Sequence, residues 1–197
     1  MRMDEQELME RVKKGDEMAF EKLITIYKDK IVNFLWHYTG DYQKAVELAQ
    51  ETFIRVYFKA KKYNPFASLS SWIYAIASNL ARTEIKKSKK IRTVSIDDLE
   101  NKVYWEAPHT KDPLDLTMIE SLNRSLDSLH PRYKIPVILK DLEGFSQEEI
   151  ADILKRPVGT IKARITRGRE YLKKELEKAS SEINILPNDK EYEDERT

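Results

Sequence analysis

Residues 143–172, EGFSQEEIADILKRPVGTIKARITRGREYL, decide the fold of the C-terminal half of this 197-residue chain. They predict two short helices that meet at a tight turn. Ser146 and Glu149 have the S-x-x-E spacing of a capping box, in which each side chain satisfies a backbone amide at a helix start. Pro157 suits the first turn of the second helix, because its missing N–H would have no partner there. This layout is that of a helix-turn-helix, whose second helix lies in the major groove of DNA.

The second helix has two distinct faces when its residues are placed about 100° apart. One stripe is apolar or small and should pack inward: Ile161, Ile165, Gly168 and Leu172. The opposite face and its flanks combine cations with small residues: Lys162, Ala163, Arg164, Thr166 and Arg167. Arginine and lysine can read guanine edges, threonine can donate or accept a hydrogen bond, and alanine permits close approach to a thymine methyl. A merely solvated basic face is the alternative, but the capping box, the turn and the cations together favour DNA binding.

Composition limits the classes of function that the chain can have. Charged residues make up 35% of the chain, yet its formal net charge is only +1. A function that depends on charge must therefore rest on local clusters of residues with the same charge. The absence of cysteine excludes disulfides, cysteine zinc sites and thiol catalysis, and it fits a cytoplasmic location. The three histidines lack ligand spacing, so we expect no metal and no cofactor. No apolar run approaches the roughly 20 residues that cross a bilayer, so we expect no membrane insertion.

Helical periodicity dominates almost the whole sequence, and only five glycines are present. We therefore predict an all-α protein of two small helical domains joined by an irregular linker. The domains should span residues 1–90 and 114–179, the second containing the helix-turn-helix. Residues 91–113 form the linker, because they lack sustained periodicity and carry two prolines. The acidic tail at 180–197 is expected to be disordered, and Pro136 is expected to kink the helix that contains it.

A second pattern lies on the helix predicted from about Leu69 to Lys89. Its core face should be Leu69, Ile73, Ile76, Ala77 and Leu80. A separate stripe carries an aromatic ring, an amide and two cations: Trp72, Ala75, Asn79, Arg82 and Lys86. These groups suit single-stranded DNA, because bases stack on rings and cations neutralise phosphates. Tyr63 and Phe66 in the preceding loop could bracket an extruded base. The stripe alone leaves open that these aromatics belong to the core and that the lysines are simply solvated.

The helix predicted at 42–60 has an unusual flank away from its core face. Two sizeable apolar groups stand there among polar and acidic ones: Glu47, Gln50, Glu51, Ile54 and Phe58. Apolar side chains among carboxylates indicate a docking surface for another protein. A neighbouring helix of the same domain could equally cover this flank.

Taken together, these segments resemble the extracytoplasmic-function (ECF) sigma factors, the smallest class of bacterial sigma subunits of RNA polymerase. The resemblance spans roughly residues 5–175. It includes VKKGDEMAFEKLITIY at 12–27, ELAQETFIRVYFKAKKY at 47–63 and SLSSWIYAIASNLARTEIKK at 68–87. The fourth segment is LEGFSQEEIADILKRPVGTIKARITRGREYL at 142–172.

The resemblance implies a subunit without catalysis of its own, which brings core RNA polymerase to promoters. Residues 1–90 would bind the polymerase clamp coiled coil and the melted minus-ten element, and residues 114–179 would read the duplex minus-thirty-five element and contact the polymerase flap. The implied upstream readers are Lys162, Ala163, Thr166 and Arg167, with Arg164 beside them. The implied clamp contacts are Glu47, Gln50, Glu51 and Ile54. An anti-sigma factor that masks these surfaces is also expected.

For the melted strand, the resemblance aligns Asn79 with a position that helps hold a flipped base, and it aligns residues 63–71 with the loop beside that pocket. With the helix stripe, this gives a predicted set of Tyr63, Phe66, Ser68, Ser71, Trp72, Asn79, Arg82 and Lys86. Ala75 departs from the family, which commonly has a basic residue there. Ala163 and Thr166 are smaller or less polar than some relatives' readers, so the recognised sequence cannot be carried over.

Two other classes of function fit the sequence less well. A stand-alone helix-turn-helix regulator would explain the C-terminal half, but it leaves the Trp72 stripe and the Ile54 flank without a purpose. An enzyme acting on nucleic acid is disfavoured, because the sequence offers no cysteine nucleophile, metal cluster, glycine-rich phosphate loop or plausible histidine triad.

Overall fold

The computed structural model describes the backbone of residues 5–92 and 122–183, and the side chains of residues 5–87 and 122–177. Every regular element within these ranges is helical, as the periodicity predicted. None of the described helices is both long enough and apolar enough to cross a membrane. The linker and the acidic tail that the sequence predicts lie almost entirely outside the described residues.

Between residues 5 and 92, the N-terminal half forms four helices. They are α1 (Glu5–Lys13), α2 (Glu17–Thr39), α3 (Tyr42–Lys59) and α4 (Leu69–Arg92). A single 3₁₀ turn, Ala60–Lys62, extends α3 toward the loop that leads into α4. Helix α2 packs against α1, α3 and α4, so it is the centre of this half.

Short polar residues and one glycine set the helix boundaries in this half. The Asp16 carboxylate accepts a hydrogen bond from the Ala19 amide at 3.0 Å and caps α2, and the Asp41 carboxylate caps α3 in the same way. Gly40 ends α2 in the left-handed conformation, with φ of +72°. That conformation carries a steric penalty for residues with a Cβ, which explains glycine at the sharp turn between α2 and α3.

The C-terminal half begins, within the described residues, with a helical segment at 122–128. It continues through α5 (Pro131–Val137), a π-helical turn (Ile138–Leu142), α6 (Gln147–Leu154) and α7 (Val158–Ile183). Pro136 stays inside α5, and the change in winding follows it directly. Proline removes one helical donor and crowds the preceding turn, so a wider turn after it is physically reasonable. The Glu143 amide, which donates to the Ile138 carbonyl at 3.1 Å, closes that turn.

The helix-turn-helix has the predicted capping box. The Ser146 hydroxyl accepts from the Glu149 amide at 3.1 Å, and the Glu149 carboxylate accepts from the Ser146 amide at 2.8 Å. Lys155 ends α6 in the left-handed conformation, with φ of +51°. The prediction for Pro157 is corrected by one residue: it stands immediately before α7, and its carbonyl accepts hydrogen bonds from the Thr160 and Ile161 amides.

One continuous core runs through both halves. The predicted inward stripes of α4 and α7 belong to it, including Ile73, Ala77, Ile161 and Ile165. The two halves pack on one another, with α4 against α6 and α2 against the π-helical turn. The sequence predicted two domains but gave no indication of this contact between them.

Candidate nucleic-acid interface

Helix α7 presents its predicted reading face to solvent. Ile161 and Ile165 are fully buried and fix the helix rotation. The opposite face is exposed and consists of Lys162, Ala163, Thr166 and Arg167, with Arg164 half-buried on the flank. The structure therefore brings together, on one helix surface, all five residues that the sequence predicted as upstream readers.

The position of α7 relative to the rest of the half depends on Gly168. A Cβ at Gly168 would lie 2.5 Å from a Val137 methyl carbon and 3.4 Å from the Tyr133 Cβ. Helix α7 therefore lies closer to α5 than any other residue type would allow without a shift. Two residues beyond Arg167, the Arg169 guanidinium binds the Asp141 carboxylate of the π-helical turn, with Nε and Oδ2 at 3.0 Å. Both contacts fix the position of the exposed face of α7 relative to α5 and the π-helical turn.

Further cations surround the recognition helix. The pKa of Arg164 is lowered, first by burial and then by the positive charges of Arg156, Arg132 and Arg82. The Arg132 guanidinium also lies over the Tyr133 ring, 4.7 Å from its centroid. Sequence reasoning missed Arg132 and Arg156 because they stand on α5 and in the turn, outside the recognition helix. The signal that could have found them is their placement, Arg132 at the start of α5 and Arg156 in the turn just before α7.

The predicted stripe on α4 is partly exposed. Asn79 and Lys86 are exposed, whereas Trp72, Ala75 and Arg82 are half-buried. The Asn79 side-chain oxygen accepts a hydrogen bond from the Arg82 guanidinium. This bond orients the amide so that its NH₂ group is turned away from Arg82. In such a pair the amide can hydrogen-bond to a base edge while the neighbouring cation binds a phosphate.

The two aromatic residues of the preceding loop differ sharply in exposure. Phe66 is 96% exposed, so its ring is free for stacking. Tyr63 is only 4% exposed, its hydroxyl donates to the Ala67 carbonyl at 2.6 Å, and its ring lies 5.3 Å from that of Trp72. The Lys13 ammonium lies 5.4 Å from the Tyr63 ring centroid. Tyr63 thus packs inside the loop and stabilises it. Its burial does not favour its predicted role as one of two aromatic rings that flank an extruded base.

The two predicted serines also differ. Ser68 is exposed at the start of α4, and its hydroxyl lies 2.7 Å from the Ser70 hydroxyl. The Ser71 hydroxyl is buried, and the described residues offer it no hydrogen-bond partner. Ser68 is therefore available to a strand that lies along the loop, whereas the buried Ser71 hydroxyl is not.

The flank of α3 forms an open surface. Ile54 is 50% exposed and Phe58 is 79% exposed, so no described helix covers them. Glu47 pairs with Lys44 at 2.6 Å, and Glu51 pairs with Arg55 at 2.7 Å. Exposed ion pairs of this kind contribute little to stability, so they leave the carboxylates free to exchange partners. Of the two alternatives for this flank, the uncovered surface is the one observed.

Comparison with protein families matches both surfaces to known regions. The model described as Sigma-70 region 2 matches residues 23–91, which contain the α3 flank and the α4 stripe. The model described as Sigma-70, region 4 matches residues 119–172, which contain the helix-turn-helix.

Individual proteins are similar over most of the chain. The ECF RNA polymerase sigma factor SigW of Bacillus subtilis (strain 168) is 32% identical over 176 residues, which cover 85% of this chain and 94% of SigW. The ECF RNA polymerase sigma-E factor of Escherichia coli (strain K12) is 31% identical over 180 residues, 86% of this chain and 93% of that protein. Among solved structures, the sigma factor RpoE in complex with the anti-sigma factor NepR from Bartonella quintana shares the fold. Its TM-score is 0.68 at 23% identity, over 80% of this chain and 96% of that one.

Proposed function

This chain belongs to the ECF sigma factors of RNA polymerase, and from that membership we propose that its two halves divide the work of promoter selection. As a sigma factor it is a promoter-specific subunit of RNA polymerase. In our proposal, residues 1–90 bind the polymerase clamp and the melted strand, residues 114–179 read the upstream duplex, and residues 91–113 link them. The polymerase itself forms the phosphodiester bonds, so the chain needs no catalytic group, and it works in the cytoplasm with the polymerase.

The upstream duplex is read by α7. The exposed Lys162 and Arg167 supply donors for guanine edges or phosphates, and Thr166 supplies a hydroxyl that serves either role. Ala163 allows the backbone of the helix to approach the groove floor closely. Arg132, Arg156 and Arg164 add sequence-independent attraction to phosphates around this surface.

The melted strand is held beside the start of α4. Extruding a base costs a few kcal/mol of stacking and pairing. Stacking on an aromatic ring returns about 1–3 kcal/mol per base, and Phe66 is the exposed ring of this loop. Asn79 would then bind the edge of the base, while Arg82 and Lys86 bind its phosphates. Tyr63 and Trp72 act beneath this surface by fixing the loop that carries Phe66.

The α3 flank is proposed as the polymerase-binding surface. Glu47, Gln50 and Glu51 would meet polar groups of the clamp coiled coil, and Ile54 would supply an apolar anchor among them. The C-terminal half would contact the polymerase flap. An anti-sigma factor that covers these surfaces would keep the chain from the polymerase, as the complex of RpoE with the anti-sigma factor NepR suggests.

One observation carries this proposal above a stand-alone regulator. The same chain presents an outward cationic recognition helix and, on its other half, an exposed Phe66 and an exposed Asn79. A regulator that binds only duplex DNA has use for the first surface and none for the second.

The test is open-complex formation with core polymerase, followed by permanganate reactivity of unpaired thymines on a promoter selected by the chain. Asn79→Ala and Phe66→Ala should lower the reactivity about tenfold, while duplex binding of the upstream element stays unchanged. Lys22→Ala, an exposed change on α2, serves as the matched control and should have no effect. Normal permanganate reactivity in both variants would exclude the proposed base capture.

A further inference from the structure

Helix α1 lies outside both stretches of the chain that the family models match, yet it contacts the loop that carries Phe66. The Sigma-70 region 2 model begins its match at residue 23, whereas α1 spans Glu5–Lys13. The Gln6 side-chain amide of α1 donates a hydrogen bond to the Pro65 carbonyl at 3.2 Å. None of the surfaces proposed above for DNA or polymerase includes a residue of α1.

The loop itself folds into a tight turn that displays Phe66. The Ala67 amide donates to the Asn64 carbonyl at 3.0 Å, which closes a β-turn over residues 64–67. Asparagine at the first position and proline at the second are typical of such turns, because asparagine bonds its own backbone and proline presets φ. Phe66 is the third residue of the turn, and its side chain is fully exposed.

Side chains hold both polar groups of the peptide unit that precedes the Phe66 Cα. The oxygen of this unit is the Pro65 carbonyl oxygen, which accepts from Gln6. Its N–H is that of Phe66, which donates to the Asn64 side-chain oxygen at 3.1 Å. Because a peptide unit is planar, bonds to both groups restrain the orientation of the whole plane. The Phe66 Cα lies in that plane, so the point from which the ring projects is restrained as well.

Helix α1 is a firm support for this contact. Its inward side is buried and consists of Leu8, Met9 and Val12. At its start, the Glu5 carboxylate accepts a hydrogen bond from the Tyr27 hydroxyl of α2 at 2.8 Å. Gln6 therefore stands next to a residue that ties α1 to the central helix of the bundle.

The other end of α1 contacts the base of the same loop. The Lys13 ammonium lies 5.4 Å from the centroid of the Tyr63 ring, and the Tyr63 hydroxyl donates to the Ala67 carbonyl. Gln6 and Lys13 stand two helical turns apart, on the same face of α1 and roughly 10 Å from one another along its axis. One helix face thus holds the loop both at its turn and at its base.

We propose that Gln6 and Asn64 are positioning residues for base capture, which hold the turn so that the Phe66 ring is in place before DNA arrives. The inference rests on the capture role proposed for Phe66. A ring on a mobile turn must be ordered when a base stacks on it, and the lost conformational freedom weakens binding. A turn that is held in advance avoids this loss. Gln6 and Asn64 themselves act through the loop backbone.

The first measurement follows the loop in the free chain, without polymerase or DNA. Relaxation of ¹⁵N nuclei gives an order parameter for the Phe66 amide, which should be close to the value of about 0.85 that is typical of rigid backbone. Gln6→Ala and Asn64→Ala should each lower it toward the values of about 0.6 and below that mark flexible backbone. Alanine is a better helix former than glutamine, so α1 stays folded in the Gln6 variant. Glu7→Ala, at the exposed neighbouring position of α1, is the matched control and should leave the order parameter unchanged.

A conservative change tests the proposed bond at Asn64. The hydroxyl of Asn64→Ser can still accept from the amide two residues further on, although more weakly than the asparagine side chain. The Phe66 amide should therefore stay more ordered in Asn64→Ser than in Asn64→Ala, and equal disorder in the two variants would contradict the proposed bond.

The second measurement is open-complex formation on the promoter used for the capture test. Gln6→Ala and Asn64→Ala should reduce permanganate reactivity about three- to tenfold, while binding of core polymerase and of the upstream duplex stays unchanged. A variant that merely loses stability would weaken all three.

Two results would overturn the inference while the capture role stands. One is a Phe66 amide whose order parameter is already low in the unchanged chain or does not fall in the alanine variants. The other is normal permanganate reactivity in Gln6→Ala and Asn64→Ala under conditions in which Phe66→Ala is impaired. Normal reactivity in Phe66→Ala itself would instead overturn the capture role, and the positioning role with it.

Discussion

Gly168 sets the distance between the recognition helix and α5, and replacing it with alanine tests that packing directly. The added Cβ would lie 2.5 Å from a Val137 methyl carbon, a separation that real Cβ atoms essentially never show. Val137 is β-branched and stiff at χ1, so the methyl cannot swing aside at low cost. Either α7 moves outward by several tenths of an ångström or α5 repacks.

The expected magnitude follows from two opposing effects. Alanine is better than glycine inside a helix by about 1 kcal/mol. Overpacking a well-packed core typically costs about 1–3 kcal/mol. Gly168→Ala should therefore lower the free energy of unfolding by about 0–2 kcal/mol.

Gly159→Ala supplies the control within the same helix. A Cβ at Gly159 would meet no atom within 4 Å, so only the gain in helix propensity applies and stability should rise slightly or stay unchanged. Urea unfolding of the full chain, followed by circular dichroism at 222 nm, should separate the two variants by about 1–3 kcal/mol. Equal stability of the two variants would refute the tight packing at Gly168.

The double variant Gly168→Ala with Val137→Ala refines the test. Removing the Val137 methyls creates room for the new Cβ, so the double variant should be more stable than the sum of the single changes predicts. Coupling between residues in contact is typically about 0.5–3 kcal/mol. Strictly additive effects would show that the strain lies elsewhere.

Three further outcomes are expected. Ser146→Ala removes the capping box and should lower the unfolding free energy by about 1 kcal/mol in the same urea assay; an unchanged midpoint would mean that the cap contributes nothing. Burial lowers the pKa of His37 below its ordinary value of 6.5, so the unfolded chain binds a proton at His37 more readily than the folded chain does. The melting temperature should therefore be highest above pH 6.5 and should fall as the pH drops below it. His37→Gln should flatten this dependence, and an equally steep fall in the variant would assign it to other groups. Lys162→Ala and Arg167→Ala should each reduce discrimination between upstream elements by about 1–3 kcal/mol in competition binding, provided that they contact bases; a uniform loss across all sequences would instead indicate phosphate contacts.

The local features of this fold could be predicted because each depends on a few neighbouring residues. The capping box needs only Ser146 and Glu149, three positions apart, and the structure contains both of its hydrogen bonds. The inward stripe of α7 follows from helical periodicity, and Ile161 and Ile165 are buried as expected. The exposed recognition surface then follows without further information.

Loop aromatics were harder to place, because their exposure depends on atoms from distant parts of the chain. Tyr63 and Phe66 stand three residues apart in a loop, and the sequence treats them alike. In the structure, the Ala67 carbonyl and the Trp72 ring bury Tyr63, while Phe66 is left outside. Nothing in the local pattern distinguishes a ring with a nearby carbonyl partner from one without it.

The face of α4 that holds Ser71, Tyr74 and Ser78 packs against the C-terminal half, and the sequence pattern did not predict this contact. Hydrophobic periodicity detects surfaces that are permanently buried, because these must be strongly apolar. Ser71 and Ser78 make this face only partly apolar, so the pattern resembles the border of a core. Contacts between domains of one chain are generally smaller and more polar than a core. The mixed composition of this face is therefore typical of a contact between domains, and it distinguishes the face from the apolar stripe at Ile73 and Ala77.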